Sequence, residues 1–496
     1  MANFFRKDIG SGVSIFASLA LWAVSMILVF EENYATSDSA DLSDISIGNS
    51  GADEFQTWMN VTMGSDKIGY TMQSLTDTPL GYILKDYSLI KLPIGGTIRE
   101  VYLDSYAVLK LDYSLKNFTF GLASGDYTTD IFGEVRNDKL IIKMRSGNSE
   151  SVASFDAGKG IYLPAVVPLL ARARGFPEGE FRLPTFDPFS LITDDLEILI
   201  GPVENVKTEL GDGRGHRITV GFSGVTSYMW VDDRGRVLRQ EEIGGMAMVL
   251  TDKERALDMP AVAGNGRDLL NELAVPCDGT IHDPRHLKSL KVEIEGVEPE
   301  FFDLMDDFQT VVSTDPLVLE IHPHRLKPSV LEDSAAFLSA QLFLQVDDPR
   351  IVRAAEKIAE DVADPAMKAG MIGRWVYENI EKDLTISLPS AVDVLEVRKG
   401  DCNEHTSLYT ALARSIGLPT KVCIGIVYKE GRFYYHAWPA VFLGSWLPID
   451  PTFGQEIADA AHIKLLEGGF ERQADLMRVV GKISVTVLDY PGGGPL

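Results

Sequence analysis

Residues 400–419 read GDCNEHTSLYTALARSIGLP, residues 434–438 read YYHAW, and residues 446–454 read WLPIDPTFG. In the first stretch a helix opens after Gly400 and Asp401. Behind them Leu408, Ala411, Leu412 and Ser415 recur at helical spacing, and Gly417 with Pro419 stops the helix. Cys402 therefore stands in a first helical turn, where the positive end of the helix dipole favours a thiolate. Three strands are expected next: KVCIGIVY (421–428), RFYYHAWPAVF (432–442) and SWLPID (445–450). If Leu443, Gly444 and Ser445 close a three-residue hairpin, Phe442 faces Trp446 and Trp438 faces Asp450. His436 and Asp450 then share a face as diagonal neighbours, about 7–8 Å apart at the backbone. A one-residue slip would put them on opposite faces. Helices followed by an antiparallel sheet make this C-terminal region α+β.

A free cysteine thiol titrates near 8.5, so it needs a neighbouring base to act as a nucleophile at neutral pH. An imidazole can supply that base, and a carboxylate can fix its tautomer. Cys402, His436 and Asp450 are the candidates for these three roles. Each also has a bland explanation. A lone cysteine is commonly a small core residue, a lone histidine a satisfied structural one, and an aspartate before proline a turn initiator. The chemical case rests on the three together. A metal reading that joins Cys402 to His405, with His436, lacks a second ligand pair at zinc-like spacing, so neither a metal nor a cofactor is assigned. Cys423 reads as packing, on the strand face opposite Val422, Ile424 and Ile426. Cys277 follows Pro276 with no identifiable role, and His462 reads as a surface residue rather than a border of the site.

Taken together, the three stretches resemble the transglutaminase-like family of cysteine acyl-transfer enzymes, whose fold is papain-like. The family pattern has a Gly-x-Cys opening a helix, an Ala-Leu-x-Arg-x-x-Gly-Leu-Pro exit, a His-Ala-Trp strand and a Trp-x-Pro-x-Asp-Pro-Thr strand. All four occur in order, and the resemblance covers about residues 345–465. It implies Cys402 as nucleophile, His436 as base and Asp450 as orienting acid, working through a thioester. Asn403-Glu404-His405 replaces the usual acidic-aromatic pair, and Pro439 stands where a Val-Glu is common. These departures bear on substrate choice more than on the triad. With water as acceptor such an enzyme is a protease or amidase, and with an amine it is a cross-linker. For an exported chain, hydrolysis of a protein, peptide or cell-envelope amide is favoured. The alternative is a non-catalytic envelope binding module that uses the same fold as a scaffold, and the intact Cys/His/Asp set argues against it.

Upstream of the cysteine, Asp348-Pro349 and Asp364-Pro365 each place an N-cap before a proline at the first helical position. Ala369, Ile372, Trp375, Val376 and Ile380 mark the buried face of the second helix. Ser390 with Asp393 suggests a capping box on a short helix that stops at Gly400. The transglutaminase-like domain is accordingly placed at 345–496. Residues 255–344, with the strand-like runs LKVEIEG and PLVLEIHP, read as a connecting β segment. Residues 54–254 alternate apolar and polar, as in Phe55, Thr57, Met59, Val61 and Met63, and so form a large antiparallel β domain. Ten or more strands are expected, with one helical interruption around Ala165 to Arg174. A packed sandwich and an open half-barrel holding an apolar ligand both fit, with the packed form preferred.

The N-terminus carries Arg6 and Lys7 and then 19 uncharged residues, GVSIFASLALWAVSMILVF (12–30), before Glu31 and Glu32. A helix of that length spans the ~30 Å hydrocarbon core. Basic flanks stay in the cytoplasm, so residues 1–11 are read as cytoplasmic, 12–30 as a transmembrane signal anchor, and the rest as extracytoplasmic. In a Gram-negative cell that is the periplasmic side of the inner membrane. A cleaved signal peptide is the competing reading, but the apolar run is long for one and no small-x-small site closes it. Residues 31–53, rich in Ser and Asp, are read as a flexible linker.

The 496 residues allow two to four domains of ordinary globular composition, 45% hydrophobic. Acidic residues outnumber basic ones, 72 to 46, for a net charge of −26. Without a Lys/Arg cluster this charge argues against a nucleic-acid partner. The three cysteines are too few for a disulfide framework.

Overall fold

The computed structural model describes residues 40–41, 55–222, 225–241, 245–260, 268–388, 390–469, 472, 475–476 and 478–491. The cytoplasmic segment read at 1–11, the anchor at 12–30 and all of the linker except 40–41 lie outside them. Among the described residues no helix is long and apolar enough to cross a membrane. The chain divides into one compact unit that ends at Asp268 and another that begins at Leu269.

In the N-terminal unit the period-two alternation becomes burial alternation. In Lys139–Ser146, for example, the even positions are buried and most of the odd ones are exposed. The strands join in one 15-stranded sheet. Eight consecutive strands from Phe55–Met63 to Ser149–Asp156 form one meander, and six from Gly179–Asp187 to Met246–Thr251 form another. The two are joined where Met246–Thr251 pairs antiparallel with Phe55–Met63, and Ala40–Asp41 adds a short parallel strand beside Gly179–Asp187. Between two of these strands Asp232 makes a turn, with its Oδ1 accepting the N–H groups of Arg234 and Arg236 and Gly235 at φ +79°. The one helix foreseen here is Val167–Ala173, almost wholly buried.

The sheet curls on itself. Phe186, near one end of the strand order, packs against Phe118 and Phe155 from the other, both at 5.6 Å between ring centroids. The packed sandwich preferred from the sequence is therefore replaced by a single curled sheet. Alternation specifies which side chains face inward, but the accumulated strand twist decides whether a sheet splits or closes, and that does not show in alternation.

Among the described residues the C-terminal unit holds a five-stranded, a four-stranded and a two-stranded sheet and four principal helices. Residues read as a connecting segment contribute Cys277–Asp278, Leu290–Glu295, Gln309–Thr314 and Leu317–Ile321 to a five-stranded sheet. Its remaining strand is Ser484–Asp489, from near the end of the chain, with Ile294 opposite Val485. That pairing places the segment from Leu269 onward in the same compact unit as the triad residues. Strands so far apart in sequence leave no local mark of their pairing.

The helices are Pro349–Ile358, Pro365–Asn379, Ala391–Val397 and Cys402–Ser415. Asp348 and Asp364 cap the first two as foreseen, accepting from Arg350 N and Ala366 N. The third differs from expectation. Ser390 makes no capping bond, and the helix closes on Arg398 in the left-handed region (φ +62°) rather than on Gly400. The fourth is buried on every side from Cys402 to Arg414, not along one stripe, as befits a central helix. Its Leu408, Tyr409 and Leu412 pack with Ile372, Val376, Val394 and Ile449.

Candidate active site

The chain turns into the central helix at Gly400, whose φ is +150° and where an added Cβ would lie 2.3 Å from Glu404 Cβ. A side chain there would displace the helix start. Asp401 Oδ1 accepts the Asn403 N–H at 2.9 Å, while Glu404 Oε2 accepts the Asp401 N–H at 2.7 Å. Ser387 Oγ donates to the other Glu404 oxygen at 2.5 Å. This reciprocal box fixes Cys402 as the first helical residue. It also gives Glu404, one of the departures from the family pattern, a structural task.

The helix is tied to the strand Arg432–Phe442 at the residue after His436. The Ala437 N–H donates to Cys402 Sγ at 3.4 Å, and Thr406 Oγ1 donates to the Ala437 carbonyl at 3.1 Å. The hairpin has the register expected of a three-residue loop: Phe442 faces Trp446, Val441 faces Leu447 and Ala440 faces Pro448. Beyond it the Ile449 N–H reaches the Pro439 carbonyl at 2.9 Å, and Asp450 arrives beside His436. His436 Nε2 lies 2.8 Å from Asp450 Oδ2, with both side chains buried. Asp450 Oδ1 accepts N–H bonds from Thr452 at 2.7 Å and Phe453 at 3.0 Å. With a second bond to Oδ2 from His462, all acceptor positions of the carboxylate are engaged, which holds the ring of His436 with Nε2–H toward Asp450. The other ring nitrogen, Nδ1, is left with its lone pair.

His462 is a correction to the sequence reading. It is buried, 2% exposed, on a fourth strand, His462–Glu467, that pairs with Thr420–Lys429. Its Nε2 meets the same Asp450 Oδ2 at 2.9 Å, and its Nδ1 meets Asp459 Oδ1 at 3.1 Å. Both ring nitrogens face carboxylates, so both donate, and the ring is an imidazolium. Burial works against that charge, but Asp459 and Asp450 outweigh it and lift the pKa to about 9. Asp450 is held well below the carboxylate range, since His436 and His462 outweigh its burial. Asp459 is steadied in turn by Arg285 at 3.0 Å and Gln455 at 2.8 Å. The polar pair His462 and Lys464 in HIKLLE suggests an exposed face. Both are buried because each has a buried acid, Asp306 in the case of Lys464.

His436, Asp450 and His462 are also the group that could converge on a metal ion, with donor atoms within 4.8 Å of one another. Their geometry is that of a hydrogen-bond network instead. Both Nε2 atoms are directed at one oxygen, and a cationic His462 has no lone pair to offer. His405, the metal partner considered for Cys402, spends Nδ1 on the Asp401 carbonyl at 2.6 Å, and burial lowers its pKa to about 4.

The helix dipole alone predicts a thiolate at Cys402, and the structure opposes it. Complete burial, then the Asp401 charge, push the thiol well up, and the Ala437 N–H only partly opposes them. Burial likewise lowers His436, against the pull of Asp450. The resting pair is therefore neutral thiol and neutral imidazole. Cys423 is also buried, beside Phe308, Trp438 and Trp446, with its pKa raised by burial to about 12. Cys277 is half-buried. Brief iodoacetamide treatment of the resting protein at pH 7 should accordingly label Cys277 first and leave Cys402 and Cys423 behind, as read by peptide mass mapping. Prompt labelling of Cys402 would show an open site that carries a thiolate.

Residues 352–451 match the transglutaminase-like superfamily, so this stretch is a transglutaminase-like domain, and it contains Cys402, His436 and Asp450. His462 falls beyond the matched stretch. No curated protein matches the sequence. Among solved structures, one from Cytophaga hutchinsonii provisionally named a cysteine protease is 17% identical, over 40% of this chain and 81% of that one, with a TM-score of 0.27. A beta-barrel-like protein of a domain of unknown function from Brucella abortus is 10% identical, over 40% of this chain and 97% of that one, at 0.33. One from Parabacteroides distasonis, provisionally named a protease, is 8% identical, over 73% of this chain and 68% of that one, at 0.18.

Proposed function

We propose that this chain is a membrane-anchored, extracytoplasmic thiol enzyme that acts at amide bonds of a protein, peptide or cell-envelope substrate, with hydrolysis favoured over cross-linking. The observation that carries this reading is the convergence of three buried groups. The Cys402 sulfur lies against the Ala437 N–H, next in sequence to His436, whose Nε2 is held by Asp450 at 2.8 Å. Since the resting pair is neutral, the thiol proton passes to His436 Nδ1 as the sulfur attacks the carbonyl carbon. Asp450 supports the imidazolium that forms. Collapse of the tetrahedral intermediate breaks the C–N bond, His436 protonates the departing amine, and a thioester remains on Cys402. Water, deprotonated by His436, attacks the thioester and releases the acid and the thiol. An acceptor amine in place of water would give transamidation. The backbone N–H of Cys402, at the helix start, supports the oxyanion in this scheme.

The test exposes residues 31–496 to peptide and envelope extracts in the presence of hydroxylamine. A thioester on Cys402 would be released as a hydroxamate, and mass spectrometry would name the acyl group. New carboxyl groups without hydroxylamine mean hydrolysis, whereas new isopeptide bonds mean cross-linking. No hydroxamate and no change in any amide would favour the binding-module alternative. In parallel, a reporter fused after Leu496 should be active only outside the cytoplasm. A cytoplasmic C-terminus would sink the anchor orientation and the envelope substrate class together.

A further inference from the structure

The curled sheet of the N-terminal unit holds an open-mouthed cavity of about 270 Å³. Consecutive strands line it with alternate residues, such as Thr71 and Gln73, then Asp86 and Ser88, then Leu103, Ser105 and Ala107. The register makes a transverse polar row, since Gln73 is opposite Asp86 and Asp86 is opposite Ser105. Within that row Gln73 Nε2 donates to Asp86 Oδ1 at 2.7 Å, and Ser105 Oγ donates to Asp86 Oδ2 at 3.2 Å. Around the row the wall is apolar, with Met59, Phe118, Phe120, Met229 and Met248 among the lining residues.

The charges of the wall are of one sign. Asp86 and Asp187 line the cavity, with Asp104 at its edge on the exposed face of its strand, and among the described residues no Lys, Arg or His lines it. Asp187 is occupied by its own turn, accepting from the backbone of Phe189 and Ser190 and from Ser190 Oγ. Asp86 has two side-chain donors for about four lone-pair sites and no ion-pair partner among the described residues. A carboxylate in an apolar wall without a cation is costly and is retained at a cost in stability. Charge complementarity points to what would compensate it.

We propose that this cavity binds a small amphiphile whose protonated amine is held by the Asp86 carboxylate and whose single short hydrocarbon chain lies among the Met and Phe side chains. An ammonium brings three donors and one positive charge to the acceptor sites that Gln73 and Ser105 leave open. The volume sits just under the ~300–1,000 Å³ of ordinary small-molecule sites, which suits one short chain. A fatty acid of the same length is disfavoured, because its carboxylate would meet Asp86 with no cation among the lining residues to offset the repulsion. Burial raises the Asp86 pKa to about 6, so the empty cavity carries its charge at pH 7.5 and loses it in mild acid.

Isothermal titration of the full chain with octylammonium, octanol and octanoate at pH 7.5 tests this. Octylammonium should bind at least about tenfold more tightly than octanol, and octanoate most weakly. Asp86→Asn, nearly isosteric and checked for an unchanged melting temperature, should bring octylammonium down to the affinity of octanol. If that variant does not fold, the native chain decides alone: its preference for the ammonium should vanish between pH 7.5 and pH 5, while octanol binding stays level. Three equal affinities, a preference for octanoate, a preference that survives Asp86→Asn, or no binding at all would overturn the proposal. None of these outcomes bears on the thiol chemistry of the other unit, so the two readings fail separately.

Discussion

Cys402→Ser and His436→Ala should each lower turnover of the substrate found by hydroxylamine trapping by about a thousandfold or more, and the double variant should be no worse than either. In the proposed mechanism the sulfur and the imidazole act in one step, since the proton leaving Cys402 is the proton that His436 receives. Removing either ends that step, and nothing remains for the second substitution to remove. The serine hydroxyl keeps the position of the sulfur but is a much weaker nucleophile beside a base whose pKa burial has lowered. Folding of Cys402→Ser should be little affected, because among the described residues Cys402 Sγ accepts one weak bond, from Ala437 at 3.4 Å, whereas His436→Ala also removes the buried bond to Asp450. Single-turnover assays with melting curves separate the two effects. If the double variant loses the product of the single losses, or if Cys402→Ser keeps most of its activity, these residues do not act as a nucleophile–base pair.

The parts of this site that were legible in the sequence are those fixed by short-range geometry. Gly400, Asp401 and the run behind them specify a helix start, and Leu443-Gly444-Ser445 specifies a hairpin whose register carries His436 to Asp450. Both are local, and both lie in the stretch that matches the transglutaminase-like superfamily. What was illegible depends on partners distant in the chain or on burial. His462 looked like a surface residue because nothing beside it in sequence reveals that Asp450 waits 12 positions away. The raised thiol pKa leaves no mark in the sequence, because a helix dipole can be read there, whereas the exclusion of water cannot. The five-stranded sheet was missed for the same reason, since its strands come from both ends of the unit. In the N-terminal unit, alternation gave the strands and their inward faces, yet the curl that turns those faces into a cavity wall is a property of the whole sheet.

His462→Gln should destabilise the protein by on the order of 3 kcal/mol at pH 6 and by far less at pH 10. An unfolded imidazole titrates near 6.5, and the folded one, held by Asp459 and Asp450 against its burial, near 9. A pKa raised on folding gives stability that is complete below about 6.5 and is lost as the pH climbs through about 9. The carboxylates set the acid limit. Asp450 and Asp459 have lowered pKa values, so their contribution is present above about 3.9 and lost as the pH falls through their folded values. The difference between native and variant should therefore be greatest between about pH 4 and 6.5 and decline toward pH 9 and beyond, as urea melts across that range would show. A difference that is flat with pH would mean that His462 merely fills space. The same substitution should reach the chemistry through His436. The His462 ring lies 5.4 Å from it between centroids, and its positive charge opposes an imidazolium there. Without that charge Asp450 supports the His436 cation more strongly, and the acid limb of kcat/KM should move to higher pH. His462 is on this account a positioning residue that adds to the burial keeping His436 neutral and ready to take the thiol proton. An acid limb that stays in place while stability falls would confine it to the fold.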